Sequence, residues 1–225
     1  KNKKIKTIIH LAAISNDKDA KKNPSKCYDV NLTGTINLIK FANSQNIRKF
    51  IFASTEWVYE NSKYNINSYK KKLNFFDINN YYASTKFLGE EVIKSFYKFK
   101  FCILRFGIIY GKRMKNYSAI ENIANSLIKK NVITIGSKKT LRSFIHIEDV
   151  VQSLILSMKI KNNCIADIQG PNKRNLGQII DQISKILRKK VKIKETDRAK
   201  PSIRNVTKSS KIDHMLWQPK ITILN

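Results

Sequence analysis

Glycine is scarce. The 225 residues contain seven, and no three of them make the G-x-x-G-x-x-G spacing of a turn that holds a pyrophosphate on backbone amides. No such cradle is encoded in this stretch. Long hydrophobic runs are missing as well: IIHLAAI and SLILSM fall far short of the roughly 20 residues that span a bilayer. A soluble chain with no membrane partner is expected. The opening KNKKIKTIIHLAAIS places lysines before a short apolar run, as a signal peptide does. That run contains His10 and continues into patterned sequence, so it reads as a buried strand.

Cysteine is rare and odd in number. Cys27, Cys102 and Cys164 are widely separated, which suits reduced thiols in a cytoplasm better than a disulfide framework. His10, His146 and His214 are isolated, and with no Cys/His cluster at ligand spacing no metal site is expected. Acidic residues number 16 against 44 basic ones, a net charge of +28. Such an excess normally points to nucleic acid or an anionic membrane. Here the lysines are spread along the whole chain, and a joint surplus of Lys, Asn and Ile is what an AT-rich coding sequence produces. Specific nucleic-acid binding is not expected; weak, salt-sensitive attraction to phosphates is.

What is present suits a folded core. Hydrophobic residues make up 42% of the chain, enough for one large domain or a domain with a small appendage. Short apolar strands (KTIIHLAA, RKFIFAST, FKFCILRFGIIYG, VITIG, CIADIQG, VKIKE) alternate with segments of helical spacing. Those segments are residues 31 to 46, YYASTKFLGEEVIKSFY, SAIENIANSLIKKN, the second half of SFIHIEDVVQSLILSM, and NLGQIIDQISKILRKK. The alternation predicts the α/β class, a Rossmann-like doubly wound parallel sheet with right-handed crossovers. Residues 1–112 are expected to form this sheet domain, the strand and helix near 143–159 returning to it. Residues 113–225 are expected to form mainly a smaller substrate-binding region. In such a sheet, ligands bind beyond the carboxyl ends of strands, which directs attention to HLAAISN, FASTEWVYE and LRFGIIYG.

Tyr82 and Lys86 stand four apart at the start of a helix. Chance alone supplies such pairs in a lysine-rich chain with nine tyrosines, and a second one, Tyr59 with Lys63, leads only into polar sequence. Context decides between them. HLAA, DVNLTGTINLI, RKFIFASTEWVYE, YYASTKFLGEE, ILRFGIIYG, RSFIHIEDV and the tail DRAKPSIRNVTKSSKIDHMLWQPKITI occur in that order. Together they resemble the extended short-chain dehydrogenase/reductase family, the NAD-dependent epimerases and dehydratases of nucleotide sugars.

The resemblance implies the roles. Tyr82 exchanges a proton with a sugar hydroxyl while hydride passes to or from NAD or NADP. A phenol titrates near 10, and a lysine one turn away on the same helix face favours the phenolate through its charge. Lys86 also holds the nicotinamide ribose, Thr55 hydrogen-bonds the reacting oxygen, and Asn31 supports the group. Leu11, Ala12, Ala13 and Phe106, at strand ends, are the further cofactor contacts. Glu56, Arg142 and Arg198 face a nucleotide-diphosphate sugar, the arginines taking its diphosphate. Dehydratases of the family carry an acid and then a base after this Thr. Here the pair is Glu56 and Trp57, and an indole cannot act as a base, so epimerisation or reduction fits better than dehydration. Ile108 and the AKPS stretch depart from the family pattern.

The family begins with a strand, a glycine-rich turn and a helix, and HLAA is normally its fourth strand. Roughly 60 residues of β-α-β-α-β precede it in relatives, and residue 1 is Lys. The chain therefore reads as a fragment, or as the product of a truncated gene. It is expected to bind NAD poorly alone and to form a homodimer when full length. A non-catalytic Rossmann-fold protein binding RNA or another polyanion is the alternative from a different class.

Overall fold

The computed structural model describes residues 4–59, 78–114, 118–198 and 218–222. Lys63, His214 and the tail from residue 199 to 217 lie outside the described residues. In chain order the elements begin with β1 (Thr7–His10), α1 (Asp17–Lys22), α2 (Pro24–Tyr28), α3 (Gly34–Ser44) and β2 (Lys49–Thr55). Then come α4 (Tyr81–Phe96), β3 (Lys100–Phe106), β4 (Ile108–Tyr110), α5 (Ala119–Lys129), β5 (Val132–Ile135) and β6 (Leu141–His146). The described chain continues with α6 (Ile147–Ser157), β7 (Cys164–Ile168), β8 (Lys173–Asn175), α7 (Leu176–Ile186) and β9 (Lys192–Glu195).

Four strands pair in the order β1-β2-β3-β7, all parallel. Strands β2 and β3 are buried along nearly their whole length, as strands covered on both faces must be. On one face Ile51, Cys102, Leu104 and Ala166 pack against Val150 and Leu154 of α6. On the other, Phe50, Phe52 and Ile103 meet Ile39 and Ala42 of α3 and Ile93 of α4. This is the parallel α/β sheet with helices on both faces that the alternation predicts. Two smaller sheets, β4-β6-β8 and β5-β9, accompany it.

The structure divides one predicted strand. FKFCILRFGIIYG breaks at Gly107: β3 stays in the four-stranded sheet, while β4 leaves it and pairs with β6. The cause is local crowding. The Gly107 N–H donates to the Ile168 carbonyl at 3.0 Å, and a Cβ on residue 107 would lie 2.4 Å from Gln169 Oε1 and 3.1 Å from the Ser143 carbonyl. A second difference lies ahead of α3. The predicted helix from residue 31 starts earlier, because α2 runs through a π-helical turn, Asp29–Thr33, into α3. The wider turn carries Asn31, which is 1% exposed.

Strand register lines up two rows across the sheet. Ser54, Arg105 and Asp167 are neighbours on β2, β3 and β7, and Thr55, Phe106 and Ile168 form the next row. The carboxyl ends of these strands carry the site.

Candidate active site

Helix α4 begins beside the end of β2. Asn80 caps it, its Oδ1 accepting from Ala83 N at 2.9 Å and its Nδ2 donating to Asp17 Oδ1 at 2.6 Å. These bonds satisfy a free amide of the first turn and tie the helix start to α1. Tyr82 sits in that first turn, close enough to the Thr55 side chain for that hydroxyl to lower its proton affinity. Thr55 Oγ1 also accepts from Trp57 N at 3.3 Å, and the Trp57 ring stands edge-on to Tyr82 with centroids 6.4 Å apart.

Lys86 follows one turn later and is 2% exposed, its Nζ 4.7 Å from the centre of the Phe52 ring. The i, i+4 spacing therefore puts both residues at the site, as the helical pattern predicts. Their proton affinities differ from the simple lysine-activates-tyrosine picture. Burial pushes the Tyr82 phenol up to about 12, with the Thr55 side chain opposing. Burial pulls Lys86 down to about 8, with Glu90 and Cys27 opposing. Desolvation is the largest influence on both groups, so the phenol keeps its proton at neutral pH.

A polar layer supports the pair. Asn31 Nδ2 donates to Thr85 Oγ1 at 3.0 Å and to the Ile14 carbonyl at 3.0 Å, while its Oδ1 accepts from Ile14 N at 2.7 Å. One amide thus ties the loop after β1 to the helix turn between Tyr82 and Lys86. His10 ends β1, its Nε2 2.9 Å from Thr35 Oγ1, and burial followed by the Lys86 charge lowers its pKa to about 4.

The remaining predicted residues fall into two groups. Leu11 and Ala12 are exposed at the end of β1 and Ala13 is half-buried, beside a cavity of about 520 Å³ also lined by Ile14, Ser15 and Asn16. Phe106 neighbours Thr55 across the sheet. Small or apolar residues at strand ends, with a phenol and an ammonium on α4, are residue types that suit a nicotinamide riboside. Arg142 lies on β6, paired in register with Arg174, and Arg198 follows β9, 78% exposed by its side chain and 3.9 Å from Glu195. Arg142 thus lies in one of the smaller sheets and Arg198 just beyond the other, neither in the sheet carrying Thr55. Glu56 is buried in the 3₁₀ turn after Thr55, and its charge reaches Lys173 of β8. Among the described residues, no group of three or more His, Cys, Asp and Glu stands ready to hold a metal.

A sequence profile described as the NAD dependent epimerase/dehydratase family matches residues 1–166. The chain belongs to that family. This epimerase/dehydratase chain is 25% identical to a UDP-glucuronate 4-epimerase of Thermodesulfobacterium geofontis over 229 residues, 97% of this chain and 69% of the relative. It is 27% identical to a dTDP-D-glucose 4,6-dehydratase of Dictyostelium discoideum over 168 residues, 69% of this chain and 39% of the relative. A relative from Methanocaldococcus jannaschii is covered to 61% of its length. The chain therefore spans only part of these proteins. Among solved structures, a UDP-Glc/GlcNAc 4-epimerase of Campylobacter jejuni superposes with a TM-score of 0.82 at 25% identity, over 98% of this chain and 74% of that one. The fold is also that of a Thermotoga maritima UDP-glucose 4-epimerase with UDP-glucose, with a TM-score of 0.85 at 20% identity over 97% and 74%.

Motif reading passed over several polar residues of the epimerase/dehydratase chain. Ser54, Glu90, Arg105, Tyr59 and Asp167 form a largely buried hydrogen-bonded chain, and Lys173 reaches Glu56 from the second sheet. Glu90 carried one available signal, its position four residues after Lys86. Ser54, Arg105 and Asp167 are brought together by strand register, and Tyr59 by the turn after β2.

Proposed function

We propose that the protein is an NAD- or NADP-dependent nucleotide-sugar epimerase or reductase in which Tyr82, Thr55 and Lys86 move and steady one proton. The observation carrying this reading is Tyr82 in the first turn of α4 beside the buried Thr55 at the end of β2, with Lys86 buried one turn on. When bound, the nicotinamide supplies the hydride chemistry. The chain supplies the proton. Tyr82 is protonated at neutral pH, so it enters as the acid that donates to a sugar oxygen, and Thr55 steadies that oxygen by donating or accepting. Regenerating the phenolate in the other direction requires added positive charge beside it, to which Lys86 contributes. Leu11, Ala12, Ala13 and Phe106 line the cofactor in this reading.

Glu56, Arg142 and Arg198 would receive the nucleotide-diphosphate sugar, the guanidinium groups suiting its phosphates. Residues 1–112 then form the cofactor side, joined by α6 and β7, which pack on or pair with its sheet, and the rest of 113–225 forms the substrate side. A homodimer through α3 and α4 belongs to the same reading, and exposed Phe41, Tyr81 and Phe96 on those helices support it. A cytoplasmic setting fits three cysteines free of disulfides. Dehydration is the second reading, since a dehydratase is among the relatives. Against it stands Trp57, an indole where elimination needs a base, directly beside Tyr82. The test is cofactor reduction and epimer formation over a panel of nucleotide sugars, with the full-length protein and its Tyr82→Phe variant. Loss of turnover in the variant, with fold retained, is expected; equal turnover in both overturns the assignment.

A further inference from the structure

Cys102, the third residue of β3, and Cys164, the first residue of β7, are direct partners in the parallel register of the main sheet. Partners in register point to the same face, and both side chains pack in the core cluster beneath α6, with Val150, Leu154 and Leu156. The Cys102 sulfur lies 3.7 Å from the Ser157 carbonyl at the end of that helix. Neighbouring strands run roughly 4.8 Å apart, within the span of about 4.4–6.8 Å between α-carbons that a disulfide bridges. The Phe101 N–H donates to Asn163 Oδ1 at 3.0 Å, which pins together the residues just before the two cysteines and holds their register.

The two differ in access. Cys102 has no exposed surface, while Cys164 is half-buried on β7, the outer strand of the order β1-β2-β3-β7. Cys27 belongs elsewhere: it is buried on α2, with Asn31 Nδ2 3.4 Å from its sulfur. All three are reduced in the structure. We propose that Cys102 and Cys164 are a dithiol modification site, converted by a low-molecular-weight disulfide such as oxidised glutathione into a bridge between β3 and β7. Cys164, as the thiolate, attacks one sulfur of the oxidant, and a mixed disulfide forms as the first small thiol leaves with a proton. Cys102 then gives up its proton and attacks Cys164 Sγ, expelling the second. The protein loses two electrons and two protons, and the oxidant is reduced to two thiols. The strand ladder fixes the spacing, so the bridge cannot relax and is of the easily reduced, regulatory kind. It staples β7 at its amino end and leaves the row of Ser54, Arg105 and Asp167, three residues on, in place. Nothing in this chemistry uses the nicotinamide or the sugar nucleotide.

The test incubates the folded full chain with oxidised glutathione, then denatures it, alkylates the remaining thiols and maps the peptides by mass spectrometry. Loss of two of the three alkylatable thiols is expected, with the Cys102 and Cys164 peptides linked, Cys27 alkylated, and all three thiols recovered after dithiothreitol. Cys102→Ser should stop at a glutathione adduct on Cys164. Cys164→Ser should leave Cys102 alkylatable, because the half-buried partner that admits the oxidant is gone. Cysteines that merely fill the core would all stay alkylatable under the same oxidant. A wild-type map with no link between Cys102 and Cys164, or with a link through Cys27, overturns the proposal whether or not the variants fold.

Discussion

Asn31 and Thr85, 54 positions apart, are joined by a 3.0 Å bond from the amide Nδ2 to Oγ1. Through it the loop after β1 is fastened to the α4 turn that carries Tyr82 and Lys86. The same side chain holds both backbone groups of Ile14, so the loop, the helix and the site share one anchor.

Replacing Asn31 with alanine leaves the Ile14 N–H and C=O without this partner. A stability loss of about 2 to 4 kcal/mol is expected in urea unfolding, with faster hydrogen exchange at the Ile14 amide. Unchanged exchange there would show that the anchor has been misassigned.

His10 makes stability depend on pH on the acid side. Its folded pKa, about 4, lies below the ordinary 6.5, so the unfolded chain binds more protons between those values. The contribution is complete above pH 6.5 and is lost as pH falls toward 4. Its size is of order 3 kcal/mol. His10→Gln should flatten this part of the profile when unfolding free energies are compared at pH 7 and pH 4.5. Parallel profiles for the two proteins would refute it.

Arg105→Met strands the Glu90 carboxylate in a site with no solvent access. The expected cost is about 3–5 kcal/mol, because an unpaired buried charge loses more than the pair gains. Combining it with Glu90→Gln should recover most of that loss, as chemical denaturation of the single and double variants would reveal.

Gly170 admits no side chain. A Cβ there would lie 1.7 Å from the Phe144 carbonyl oxygen, a backbone atom of β6 that cannot turn aside. Gly170→Ala should cost about 3 kcal/mol, read as a lowered melting temperature; a wild-type melting curve would contradict the close approach.

The sequence carried much of this. Alternating apolar strands and helical segments disclose the parallel α/β sheet, since a strand buried on both faces must be apolar throughout, as KFIFAST and FCILRF nearly are. The seven ordered motifs identify the family, and helical periodicity puts Tyr82 and Lys86 on one face. Gly107 escaped that reading. An uninterrupted apolar run looks like one strand, and the break comes from Gln169 and Ser143, far along the chain.

Local order, then, was determined by the sequence alone: which segments form strands and helices, and the spacing of Tyr82 to Lys86. Tertiary structure decided the protonation of those groups and the company they keep. Ser54, Arg105 and Asp167 become neighbours through the register of three strands, and Glu90 meets the first two through helix packing. Proton affinity follows burial and the distance to other charges. Both are properties of residues remote in the chain and adjacent only once it has folded.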